Sequence, residues 1–229
     1  MSNLLAIDTT DFSIALALTR NGAIVAEKRI DDSGIAEHLM LNIQLLLREG
    51  NIGLDDLNKI AVIVGPGSYT GIRSGLATVL GIYSGIAGEV QIVPISKLQA
   101  QAFLIGKELQ NPKIVFSLLT ANTSEYFAGV YHCQSGRVDE IHPPTSVLKS
   151  ELEVFIKNVL ANCKENTDNS ADLFVKIVDA DVNFASVAAT MAATTHEIAG
   201  INDLKPLYIK PVNAKTLAER QKGLDIFTV

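Results

Sequence analysis

Hydrophobic positions in the first hundred residues fall into short runs that switch between a period of two and a period of three to four. Residues 4–8 form an apolar run that ends in Asp8-Thr9-Thr10. Residues 13–19 alternate in size and polarity, as a strand with two unlike faces does. Asn21-Gly22 is the strongest short hairpin signal and leads into a third strand over 23–30, so the three predict an antiparallel meander. Leu39, Met40, Ile43, Leu46 and Leu47 recur at helical spacing and predict a helix over 35–49, closed by Gly50. Alanine and β-branched residues at 60–64 predict a buried strand. A turn at 65–68 follows, then a long helix over 69–84 that ends near Gly85 and Gly88. A strand at 92–95 and a helix at 97–109 complete the order β-β-β-α-β-α-β-α.

The second half is less regular. Strands are predicted at 113–119 and 125–131, with a Ser135-Gly136 turn into a third near 138–141. A helix over 146–161 would take Ser146 as its N-cap. A polar loop at 162–170, a strand at 173–178 and an alanine-rich helix at 182–199 follow, and a tail with Pro206 and Pro211 reads as extended. The two halves therefore repeat one element order without a visible sequence repeat. Their division is expected between residues 106 and 107, giving lobes 1–106 and 107–229.

Composition narrows the class. In 229 residues, 48% are hydrophobic and 19% charged, which supplies a buried core and argues against wholesale disorder. The net charge of −6 does not suit a domain that grips nucleic acid unaided, because such domains carry a basic face. Lys205, Lys210, Lys215, Arg220 and Lys222 nevertheless make the tail basic, as an RNA-facing or partner-facing arm or as a solvated end. Cys133 and Cys163 form no close-spaced metal or redox pair and read as free thiols. The N-terminus lacks a basic n-region and no apolar run is long enough to span a bilayer, so a cytoplasmic protein without a membrane partner is expected.

One stretch is chemically suggestive: Gly65, Pro66, Gly67, Ser68, Tyr69, Thr70, Gly71, Ile72 and Arg73 join a buried strand to a helix. Glycines let a chain turn sharply and let its amides approach a ligand, and a helix N-terminus favours an anion. The stretch reads as an anion or nucleotide loop (Gly65, Gly67, Ser68, Tyr69, Thr70, Gly71, Arg73) or as a structural turn capped by Ser68. It matches neither a P-loop nor a dinucleotide fingerprint. Asp8-Thr9-Thr10 could hold a metal-bound phosphate or cap its own turn. The four histidines, His38, His132, His142 and His196, form no zinc motif, and no catalytic or metal-ligating set is identified.

The helices suggest a surface for a partner. Ile72, Leu76, Val79, Leu80 and Tyr83 form a bulky stripe. Gly71, Gly75, Thr78, Ile82 and Gly85 form a second, small-residue face that suits close approach of another helix or of the chain's own sheet. Leu41 and Leu45 lie four apart among polar residues, either as a contact for a partner helix or as leucines left on the surface.

Taken together, the opening Leu-Leu-Ala-Ile-Asp-Thr-Thr, the 65–73 loop with Ser74-Gly75-Leu76-Ala77 after it, and Pro206-Leu207-Tyr208-Ile209-Lys210-Pro211 resemble the TsaB family, formerly called YeaZ. The resemblance implies an α/β, actin/Hsp70-like (ASKHA, ribonuclease H-like) two-lobe fold with mixed five-stranded sheets and flanking helices. It implies a non-catalytic subunit in synthesis of threonylcarbamoyladenosine beside the tRNA anticodon. The implied partners are the catalytic paralogue TsaD, the ATPase TsaE, a second copy of the chain, and tRNA indirectly. The implied docking surface is the first two helices, which here carry Leu41, Leu45, Gly71, Gly75, Thr78 and Ile82. No cofactor of its own is implied; ATP or ADP would enter only in the complex. Lys97 and Gln101 stand where the paralogue carries its metal-binding histidines, and Thr120-Ala121-Asn122 replaces the usual Asp-Ala-Arg, with Glu125 retained. The competing enzyme reading is an ASKHA-type ATPase or phosphotransferase using Asp8 and the 65–73 loop.

Overall fold

The computed structural model describes residues 2–31, 34–86, 90–107, 113–163, 172–177, 182–194 and 200–210. Gly88, Leu109, His196, Pro211, Lys215, Arg220, Lys222 and the 164–170 part of the expected polar loop lie outside them.

The first sheet is the one the alternation predicts. β1 (Asn3–Asp8), β2 (Ser13–Arg20) and β3 (Ala23–Asp31) form the meander, and β4 (Lys59–Gly65) and β5 (Gln91–Ser96) extend it in parallel. The order is β3-β2-β1-β4-β5. Asn21 and Gly22 both have positive φ, 52° and 83°, which matches the right-handed twist of the strands they join.

The two faces of this sheet differ in side-chain size. Leu5, Ile7, Ile14, Leu16, Leu18, Ile60 and Val62 face α1 (Ile35–Glu49) and α2 (Tyr69–Gly85). Leu39, Ile43 and Leu46 of α1 are fully buried there, each contributing roughly 2 kcal/mol. On the opposite face Ala6, Ala15, Ala17 and Ala61 receive Ala185, Ala188, Ala189 and Ala192 of α5 (Phe184–Thr194). Alanine against alanine lets α5 lie close to the strands, which accounts for its composition. The Lys59 ammonium donates to the Ala192 carbonyl at 2.8 Å, placing a cation at the negative end of that helix.

The second sheet has the order β8-β7-β6-β9, from β6 (Lys113–Thr120), β7 (Glu125–Gln134), β8 (Arg137–Leu148) and β9 (Asp172–Ile177). It has four strands among the described residues rather than the five expected, because the element order of this half supplies only four. α3 (Lys97–Lys107) covers one face through Leu98 and Ala102 against Val115, Tyr131 and Cys133. α4 (Leu152–Cys163) covers the other with Phe155, Ile156, Val159 and Leu160. Burial pushes the Cys133 thiol up to about 12, so it is a packed, unreactive group.

Ser146 does not cap a helix. β8 continues to Leu148, pairing Val147 with Tyr126 and Leu148 with Glu125, and a 3-10 turn over Lys149–Glu151 precedes α4. Long-range pairing outweighs the local capping signal. The packing also exchanges helices: α3, from the first half, sits on the second sheet, whereas α5, from the second half, sits on the first.

Candidate functional site

The 65–73 loop packs against the end of β1. A Cβ on Gly71 would lie 1.8 Å from the Thr9 carbonyl oxygen, and one on Gly67 2.3 Å from that of Thr10. Both positions require glycine because main chain crosses main chain there. The Thr9 hydroxyl donates to the Gly71 carbonyl at 2.7 Å, and the Ser68 amide donates to Thr10 O at 2.6 Å. Ser68 caps α2, its Oγ accepting from the Gly71 amide at 3.2 Å. Thr9 and Thr10 thus lie against Gly71 and Gly67 on the inner side of the loop, while Gly67 and Thr70 keep an exposed side.

Asp8 ends β1 in a self-capped turn. Its Oδ1 accepts from the Thr10 amide at 2.8 Å and from the Thr10 hydroxyl at 2.7 Å. Its Oδ2 lies 3.2 Å from the Nζ of Lys97, the residue that opens α3. The Lys97 ammonium also donates to Thr10 Oγ1 at 3.0 Å and to Asp11 Oδ2 at 2.5 Å, and stands 5.2 Å from the centre of the Phe184 ring. The Asp8 carboxylate is thus matched by the Lys97 ammonium, and Gly67 and Gly71 of the loop are packed on Thr10 and Thr9. The sequence reading missed Lys97 as a structural cation. The signal was present, because a lysine at a helix N-terminus opposes the dipole and calls for acidic partners.

The tail closes the other side of the loop. The Leu207 amide donates to Val64 O at 2.8 Å. The Tyr208 ring stacks on Tyr69 at 4.5 Å, and the Arg73 guanidinium lies over Tyr69 at 4.4 Å. Lys210 then pairs with Glu125, which also accepts from Asn122 Nδ2 at 2.6 Å and from Ser146 Oγ at 3.3 Å. Lys210 supplies the positive charge beside Glu125. The Lys210 contact, followed by that of Asn122, lowers the Glu125 carboxyl below its ordinary 4.5. A depressed carboxyl stabilises the fold above its ordinary value and loses that contribution as pH falls through the folded value. Glu125→Gln is therefore expected to lower the thermal midpoint at pH 7, with the gap to the unsubstituted chain closing below pH 4.5. Midpoints of both proteins measured from pH 7 downwards check this; a gap independent of pH would contradict it.

The helix surface differs from the sequence expectation on α2. Gly71, Gly75 and Ile82 are buried against the chain's own sheet, and a Cβ on Gly75 would meet Thr9 Oγ1 at 2.5 Å. Thr78 is half-buried. These residues face inward because α2 passes over the end of β1, where only glycine permits the approach. The outward face holds Ala77, Leu80, Gly81, Tyr83 and Gly85, and nothing lies within 4 Å of a Cβ built on Gly81 or Gly85. On α1, which packs beside α2, Leu41 is 55% exposed and Leu45 39%, and Met40 points outward with them rather than into the core. The exposed surface is thus leucines on one helix and small residues beside Leu80 on the next.

Among the described residues no helix is long and apolar enough to cross a membrane. A sequence model of the family described as "TsaD: tRNA N6-adenosine threonylcarbamoyltransferase" matches residues 32–215. The chain is similar to the tRNA threonylcarbamoyladenosine biosynthesis protein TsaB of Bacillus subtilis, at 26% identity over 155 residues, 67% of this chain and 66% of that protein. It is similar to TsaB of Escherichia coli at 29% identity over 149 residues, 65% and 63% of the two chains. The chain thus spans just under two thirds of the length of these curated relatives. YeaZ from Pseudomonas aeruginosa has the same fold, with a TM-score of 0.70 at 21% identity over 91% of this chain and 100% of that chain.

Proposed function

Since this chain belongs to the TsaD family, in its TsaB/YeaZ branch, we propose that it is the non-catalytic partner subunit of a complex that makes tRNA threonylcarbamoyladenosine. It pairs with a TsaD-like catalytic paralogue, which acts with a TsaE-like ATPase, and it self-associates through the same face when that paralogue is absent. tRNA is reached through the complex, nucleotide enters only there, and the setting is the cytoplasm.

The observation that carries this reading is the exposed apolar face of α1 and α2. Leu41, Leu45 and Leu80 present large aliphatic groups to solvent, and Ala77, Gly81 and Gly85 beside them leave room for an incoming helix. Helices meet most closely where small residues recur every four positions, and leucines flanking such a seam bury area only on contact. The Asp8–Lys97 pair supports the non-enzymatic half of the proposal, because it engages the carboxylate that an ATPase of this fold would turn to its metal.

Mixing the chain with its cognate paralogue is expected to give a shared peak in size-exclusion chromatography. Leu45→Glu and Gly81→Arg are each expected to weaken that association by about 30-fold or more. Because both positions are exposed, neither variant should unfold the chain: Leu45→Glu should change stability by no more than about 0.5 kcal/mol, and Gly81→Arg should raise it by about 0.5–1 kcal/mol through helix propensity. Absence of a shared peak, or variants that co-elute unchanged, would refute the docking face.

A further inference from the structure

Among the described residues Lys97 is the largest charged side chain that the fold encloses completely, and three oxygens surround its ammonium. Its Nζ has Asp8 Oδ2 at 3.2 Å, Thr10 Oγ1 at 3.0 Å and Asp11 Oδ2 at 2.5 Å. Two carboxylates and a hydroxyl converging on one point are the donor set of a hard cation such as Mg2+, Mn2+ or Ca2+. The face of Phe184 also lies 5.2 Å away and attracts a cation through its quadrupole. We propose that the Lys97 ammonium is a built-in cation occupying a latent hard-metal site formed by Asp8, Thr10 and Asp11, so that the junction between β1 and α3 needs no divalent ion.

The junction needs some cation. Asp8 is 4% exposed, and a carboxylate buried without a partner is costly. The two carboxylates are also close enough to repel each other once the charge between them is removed. An ammonium on a four-carbon stem meets this need permanently, at no dependence on ion concentration, and its stem fills the space an ion and its waters would take. Asp11 keeps 39% of its side chain in solvent. It therefore gives an ion a way in once the stem is cut, and gives water a way to complete the coordination shell. The same occupancy removes the metal–phosphate chemistry of the Asp8 position from this chain.

The test uses the full chain carrying Lys97→Ala, with Mn2+ as the probe. In metal-free buffer its thermal midpoint is expected about 10 °C below that of the unsubstituted chain. Adding MnCl2 is expected to raise the variant's midpoint by about 5–10 °C at a hundred times the dissociation constant, and to leave the unsubstituted chain where it was. Adding Asp8→Asn to the variant is expected to abolish the response. The proposal is overturned if folded Lys97→Ala ignores Mn2+, if it fails to fold even in millimolar Mn2+, if the unsubstituted chain responds equally, or if the Asp8→Asn double variant still responds.

Discussion

Gly71→Ala is expected to destabilise the chain by more than about 3 kcal/mol, a large share of the stability of an ordinary domain. The new methyl would lie 1.8 Å from the Thr9 carbonyl oxygen and 3.0 Å from its carbonyl carbon. Both are main-chain atoms, so no side-chain rotation relieves the clash. Thr9 cannot retreat, because its hydroxyl is bonded to Gly71 O and its neighbours Asp8 and Thr10 are held in the network around Lys97. α2 would have to move off the sheet instead, and with it Ile72, Leu76 and Val79, which are buried in the core beneath it. Gly81→Ala is the control on the same helix. Nothing lies within 4 Å of its Cβ, so the substitution gains helix propensity and is expected to stabilise by about 0.5–1 kcal/mol. Urea midpoints of the two variants should move in opposite directions; equal shifts would mean that close packing on Thr9 is not what keeps Gly71.

Lys97→Met is expected to cost about 3–5 kcal/mol, because it keeps the bulk of the stem and strands the Asp8 carboxylate in the interior. The penalty belongs to the unpaired charge rather than to lost attraction. Asp8→Asn in the same chain should therefore restore most of the stability, since Asn Oδ1 still accepts from the Thr10 amide. A double-mutant cycle read by chemical denaturation measures the coupling. Additive losses would show that the two side chains act separately, contrary to their 3.2 Å separation.

Both predictions concern residues whose neighbours were far from them in the sequence, and this separates what could be read early from what could not. Ile35–Glu49 was legible to the residue, because Leu39, Ile43, Leu46 and Leu47 mark one helical face and Gly50 ends it. The start of α4 was not. Ser146 carries a good local capping signal, but β7 offers a partner strand through Leu148, and pairing between strands distant in sequence leaves no local mark. On α2 the periodicity identified the apolar and small positions but not which of them faced the sheet. Ile72, Gly75, Leu76, Val79 and Ile82 together form the buried face, so the seam of glycines thought to await a partner belongs in part to the monomer. The loop glycines were read as sites of close approach, and within the chain Thr9 and Thr10 approach Gly71 and Gly67.

Element order, the antiparallel meander, the alternation of large and small faces on β1 and β2, and the exposure of Leu41 and Leu45 are local properties. They arise from spacing within a few residues, and the chain carried them openly. The exchange of α3 and α5 between the sheets, the nesting of Thr9 against Gly71 and Gly75, and the enclosure of Lys97 by Asp8, Thr10 and Asp11 depend on separate elements meeting, Thr9 with Gly71 across 62 residues and Thr10 with Lys97 across 87. Close packing, and the need of a buried charge for a counter-charge, settle those meetings, and both forces act only once the chain has folded.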